Sequence, residues 1–192
     1  MTGILGKKLG MSRIVIDGAF VAVTYIHAEP NTVIQVKNPE RDGYSAIVLG
    51  FDKYAKPSKN QIFKFTREIK VEDSSKFTVG QVISLADLPE FTKGHLTAIS
   101  KGKGFQGPVK LWNRSPLRES HGSKYPRHGS TLTSARTGRS RKGLEMAARM
   151  GGEQITLKNR PIVAIYKEKN VFAVKGAIPG AADGFVVLHS IK

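Results

Sequence analysis

The 192-residue chain has no cysteine, so neither a disulfide nor a thiolate-held zinc can staple it. No run of about 18 apolar residues occurs in it, so nothing reads as a membrane-spanning helix. The opening residues MTGILGKKLG lack the apolar stretch of a signal peptide, and the chain is expected to begin at or near Met1. HExxH, Walker A and GxSxG patterns are absent, and no His, Asp and Glu set has metal-ligand spacing. No catalytic residue, metal or cofactor is therefore expected. Asn113-Arg114-Ser115 fits a glycosylation triplet, but without a secretory signal it is read as chance. Acids are also scarce. Fifteen Asp and Glu stand against 31 Lys and Arg, leaving +16.

A surplus that large repels itself until a polyanion neutralises it, which points to nucleic acid. Its distribution says more than its total. Residues 101–150 carry 12 Lys and Arg against Glu119 and Glu145, a net of +10, and the other 142 residues carry the remaining +6. The middle segment also holds seven glycines and few aliphatic side chains. Without a sustained apolar period it cannot bury enough surface to order itself unaided. It is expected to be flexible alone and ordered on its partner.

The body, residues 1–100 and 151–192, reads as β-rich. Phe20 to His27, Thr32 to Lys37 and Tyr44 to Phe51 are short runs of Val, Ile and aromatics separated by turn material. Gln81 to Leu85, His95 to Ser100, Gln154 to Leu157, Ile162 to Lys167, Val171 to Lys175 and Gly184 to His189 continue the series. Glu168-Lys169-Asn170 suits a tight hairpin between two of them. Many short strands without alternating helices favour an antiparallel barrel or sandwich. Residues 53–76 are more polar and are expected to form a surface excursion with one short helix. Glu145 to Met150 suits a helical turn or two.

The stretch SKGKGFQGPVKLWNRS, Ser100 to Ser115, contains G-x-G-x-x-G at Gly102, Gly104 and Gly107. A dinucleotide-binding loop of that spacing must open a helix and meet an acid about 20 residues on. Here Pro108 follows Gly107 directly, arguing against a helix, and the acids Glu119 and Glu145 fall at the wrong distances. The glycines are read instead as freeing backbone to lie against a partner. Phe105 and Trp112 are interleaved with Lys and Arg, so their rings could stack on unpaired bases or pack on the body.

Six blocks in one order now carry a resemblance: GILGKKLGM, SKGKGFQG, VKLWN, SHGSK, ARMGGEQITLKN and VKGAIPGAADGFVV. The chain resembles the large-subunit ribosomal protein L-three family over nearly its whole length. That resemblance implies a β-barrel of translation-protein type, with residues 101–150 as a long loop threaded into large-subunit rRNA. It also implies an early role in subunit assembly, a loop tip near the peptidyl-transferase region, neighbouring ribosomal proteins as partners, and no enzymatic activity. The setting would be a cytoplasmic or organellar ribosome. Near the tip the family's Pro-Gly-Ser-Ile-Gly run is replaced by RHGSTLTSARTGRS. The glutamine methylated in some members is missing, so that modification is not expected.

The expected rRNA contacts are Lys101, Lys103, Phe105, Lys110, Trp112, Asn113, Arg114, Arg118, His121, Lys124, Arg127, His128, Arg136, Arg139, Arg141, Lys142 and Arg149. Cations would release counterions where RNA helices crowd, and arginine adds forked phosphate contacts. Lys7 and Lys8, in the glycine-bounded GKKLG, form a second candidate patch. About 25 residues each way, at about 3.3 Å per residue, gives such a loop a reach of roughly 80 Å. A free-standing basic RNA chaperone or RNA-modifying protein remains the alternative.

Overall fold

The computed structural model describes residues 3–59, 61–87, 92–122, 124–127, 138, 140 and 142–191. It is mostly antiparallel β-structure and divides into two compact units, Met1–Ser100 with Gln154–Lys192, and Lys101–Glu153.

In the first unit, β1 (Gly3–Ile16), β2 (Ala19–His27), β7 (Lys93–Ile99), β10 (Gln154–Tyr166), β11 (Val171–Lys175) and β12 (Phe185–Ile191) form a single sheet. Its order is β1-β12-β7-β10-β11-β2, and β2 pairs back onto β1, so the sheet closes on itself. A second sheet has the order β5-β4-β3-β6, from β3 (Asn31–Lys37), β4 (Ala46–Ser58), β5 (Gln61–Lys70) and β6 (Val82–Ile83). A four-residue helix α1 (Pro39–Asp42) joins β3 to β4, ending at Gly43 in a left-handed conformation.

Strand alternation explains how one polypeptide serves two cores. Side chains of successive strand residues point to opposite faces. Ile4, Val186 and Leu188 face one cluster with Ile26, Leu96, Phe172 and Val174. Their neighbours Leu5 and Val187 face a second cluster with Val33, Ile47, Leu49, Phe51 and Ile69 of the four-stranded sheet. Phe185 packs on that second cluster and stacks on Phe65 at 4.6 Å between ring centroids. β12 is covered on both faces, which is why GFVVLH is continuously apolar rather than alternating.

A buried polar group joins the two sheets. Asn31 is fully buried; its Oδ1 accepts from the Leu5 amide at 3.3 Å, and its Nδ2 donates to the Leu5 carbonyl at 3.2 Å. The side chain thus mimics a strand partner where β3 leaves the closed sheet, and no buried polar atom is left unmatched there.

Several expectations need correction. Most of residues 53–76 are strand, in β4 and β5, and the short helix is a 3-10 turn at Ser74–Lys76. QIFKFTREIK alternates, with Lys64, Thr66 and Glu68 exposed between Phe63, Phe65 and Ile69, but exposed Arg67 breaks the apolar series. β1 had no strand signal because of Gly3, Gly6 and Gly10, yet a Cβ at Gly6 would sit 2.6 Å from Ile26 Cγ2. Gln154 to Leu157 and Ile162 to Tyr166 belong to one strand, β10, with a register shift between Leu157 and Arg160, and Lys167 opens a 3-10 turn.

Candidate nucleic-acid interface

The unit Lys101–Glu153 is built around a short antiparallel neck. β8 (Phe105–Gln106) pairs with β9 (Ala148–Arg149), Phe105 opposite Arg149 and Gln106 opposite Ala148. The Lys103 amide donates to the Met150 carbonyl at 2.8 Å, and the Met150 amide donates to the Gly104 carbonyl at 2.9 Å. Gly104 and Gly151 both have positive φ, +70° and +71°. At Gly151 a Cβ would collide with the Lys101 carbonyl oxygen. Of the glycines that resemble a cofactor loop, Gly104 alone takes a positive φ, and the close approach of two backbones falls on Gly151, outside that pattern.

Two local expectations fail here. Gly107 is followed by a helix after all, α2 (Pro108–Trp112), because proline at the first helical position lacks only an N–H that would be unpaired anyway. Five residues, ended by Asn113 in the left-handed region at φ +55°, are still no dinucleotide-binding helix. Glu145 to Met150 is not helical either, since Ala148–Arg149 is a strand.

Beyond the neck the outgoing and returning chains are held by polar contacts. Trp112 Nε1 donates to the Met146 carbonyl at 2.8 Å, leaving the ring about half exposed. Arg114 pairs with Glu145, Nε to Oε2 at 3.5 Å. The Leu117 amide donates to the Pro126 carbonyl at 2.9 Å. Pro108 is the only buried residue among the described residues of this unit.

The expected contacts fall into three groups. Lys101, Lys103, Lys110, Arg118, His121, Lys124, Arg127, Lys142 and Arg149 are exposed, as is the Phe105 ring at 76 %. Trp112, Asn113 and Arg114 instead hold the outgoing chain in place through the cap and bonds just described. His128, Arg136, Arg139 and Arg141 lie outside the described residues. Tyr125, which sequence reasoning passed over, is 71 % exposed and shares one hollow with Lys124, Pro126 and Arg127. Its signal was an aromatic residue flanked by cations.

In the first unit, Lys7 and Lys8 lie in β1 rather than in a solvated turn. Lys8 Nζ donates to the carbonyls of Ile178 and Gly180 at 2.7 and 3.1 Å, which latches the loop before β12. Lys7 pairs with Asp183 at 3.3 Å.

A β-structured body joined to a cationic unit with one buried residue among those described defines a class: basic proteins whose surfaces suit a polyphosphate. Comparison with known proteins narrows it. A family model described as ribosomal protein L3 matches residues 60–177. The large ribosomal subunit protein uL3 of Shouchella clausii is 39% identical over 199 residues, covering 98% of this chain and 97% of that protein. The protein of the same name from Thermosipho melanesiensis is 40% identical over 203 residues, covering 100% and 99%. That of Bacillus cytotoxicus is 40% identical over 200 residues, covering 97% and 95%. The chain belongs to the ribosomal protein L3 family.

Proposed function

We propose that this protein is a structural constituent of the large ribosomal subunit, binding large-subunit rRNA and contacting neighbouring ribosomal proteins. Its role is structural, not enzymatic. On this reading the closed sheet is the β-barrel of translation proteins and anchors the chain. Residues 101–150 are an arm that enters folded rRNA, supports early assembly and organises RNA near the peptidyl-transferase centre. The observation that carries the reading is the pairing of +10 in residues 101–150 with a single buried residue among those described. Such a segment gains its order from phosphates rather than from a core of its own.

The exposed lysines and arginines neutralise backbone phosphates where RNA strands converge, and each contact releases condensed counterions. Arginines such as Arg118, Arg127 and Arg149 can fork onto phosphates or stack on bases. Phe105, Trp112 and Tyr125 offer faces for unpaired bases. His121 hydrogen-bonds RNA rather than acting as an acid or base. The remaining expected contacts, His128, Arg136, Arg139 and Arg141, would extend the same chemistry.

The test is cosedimentation with large subunits through a high-salt wash, followed by deletion of residues 115–145. The expected result is co-migration of the full chain, with the deletion variant keeping its β circular-dichroism signal but failing to support subunit assembly. Recovery mainly in the soluble fraction after gentle lysis would count against the reading.

A further inference from the structure

Outside residues 101–150 the surplus charge is not spread evenly. Residues 52–70 hold six Lys and Arg against Asp52 and Glu68, a net of +4 out of the +6 on all 142 residues beyond the basic segment. The next stretch, 71–100, holds two cations and four acids.

Residues 52–58 are the outer part of β4, and Gln61–Lys70 are the whole of β5. β3 pairs with β4 only from Ala46 to Gly50, while β4 and β5 pair as far as Lys53 opposite Phe63 and, after a register shift, again at Ser58 opposite Gln61. From Phe51 outward, therefore, the hairpin is a two-stranded ribbon with no third strand. Such ribbons are marginal in water on their own. Lys53, Tyr54, Lys56 and Lys59 are all exposed along it.

The ribbon's two acids are already engaged. Asp52 takes both its contacts from Lys64, at 2.9 and 3.0 Å, and Glu68 pairs with Lys37 of β3 at 2.6 Å. Neither offsets Lys53, Lys56 or Lys59. Cations and rings also alternate: Lys53 lies over Phe63 at 5.6 Å, Lys64 over Tyr54 at 6.0 Å, and Arg67 over Phe65 at 5.1 Å. A ring beneath an ammonium restrains it without cancelling its charge, which lowers the ordering cost of meeting a phosphate. Protection of an exposed sheet edge explains lysines on β5, the edge strand. Past Gly50 the outer part of β4 is an edge as well, so the same protection covers Lys53 and Lys56; it requires no net charge, however, and the +4 here is two-thirds of the +6 outside residues 101–150.

We infer that the β4–β5 hairpin is a second RNA-backbone contact, separate from residues 101–150, with Lys53, Lys56 and Lys59 as its phosphate ligands. Cations held over rings, with Tyr54 exposed among them, suit a nucleic-acid backbone with unpaired bases nearby. The inference rests on the ribosomal reading and adds a site to it.

The experiment measures affinity of the full-length protein for naked large-subunit rRNA as a function of salt. Combined Lys53→Gln, Lys56→Gln and Lys59→Gln should lower the slope of log K against log salt by about 2–3, at roughly 0.7–0.9 per lost phosphate contact. A control combining Lys76→Gln, Lys93→Gln and Lys169→Gln removes the same charge elsewhere and should lower it by less than about 1. Equal losses in both variants, or none in the first, overturn the site. An unchanged rRNA slope with weaker incorporation into reconstituted subunits also overturns it, and assigns the hairpin to a protein neighbour. Failure of the wild-type chain to bind rRNA at all would instead sink the ribosomal reading.

Discussion

The two units of this chain hold their shape by different physics. Met1–Ser100 with Gln154–Lys192 contains every buried hydrophobic residue among those described, most of them gathered into two clusters on opposite faces of shared strands. Lys101–Glu153 carries 12 Lys and Arg against three acids, a net of +9 in 53 residues, leaving +7 for the other 139. Its described order comes from a backbone ladder at the neck and from bonds such as Trp112 to Met146. The lesson is that burial and charge have been segregated along the sequence. A core repels uncompensated cations, and a surface meant for phosphates cannot afford to hide them.

The largest expected effect breaks the comparison in the body. Phe172 is fully buried in the cluster inside the closed sheet. Phe172→Ala should cost about 3–5 kcal/mol, a large part of the roughly 5–15 kcal/mol that stabilises a typical domain. Phe105→Ala, at a ring 76 % exposed in the second unit, should stay within about 0.5 kcal/mol. Urea unfolding followed by circular dichroism reads both. Comparable losses from the two would mean that the basic unit has a core after all.

How far the sequence announced this arrangement depends on which force acts where. Strands rich in Val, Ile and Phe, such as β2, β3 and β11, were legible because β-branched side chains state both propensity and burial. β1 was not, since Gly3 and Gly6 record close approach by a neighbour, which no single-chain pattern displays. That the strands form two sheets was equally hidden. It follows from Leu5, Val187 and Phe185 facing outward, onto the second sheet, while Ile4 and Leu188 face inward. In the basic unit the cations could be counted directly. The neck could not be foreseen, because its ladder depends on backbone amides and on which glycines take positive φ. Pro108 misled for a related reason: a proline stops a helix from within but begins one well.

The neck supplies the next prediction. Gly151→Ala should add about 1–2 kcal/mol for a side chain in the left-handed region, together with the collision against the Lys101 carbonyl. Hydrogen exchange at the Lys103 and Met150 amides, which cross the neck, should quicken by about tenfold or more. Thermal unfolding of the closed sheet should stay where it was. Unaltered protection at both amides would show that the pairing does not depend on this glycine; a matching fall in melting temperature would join the two units energetically.

The smallest effect sharpens the picture of the body as a place that excludes charge. His189 on β12 lies directly opposite His95 on β7. Burial, and then the neighbouring His95, lower its pKa from the ordinary 6.5. His95 Nδ1 meanwhile accepts the Asn159 amide at 3.1 Å. As pH falls through about 6.5 the unfolded chain takes up the His189 proton before the folded one does. Stability is therefore intact above that value and declines below it, until the lowered folded pKa is reached. The melting temperature should drop between about pH 7.5 and about pH 5.5, and His189→Gln should shrink that drop. Carboxylates common to both proteins cancel in the difference. An identical drop in parent and variant would mean that the proton is taken up elsewhere, and that the edge of this core tolerates an imidazolium.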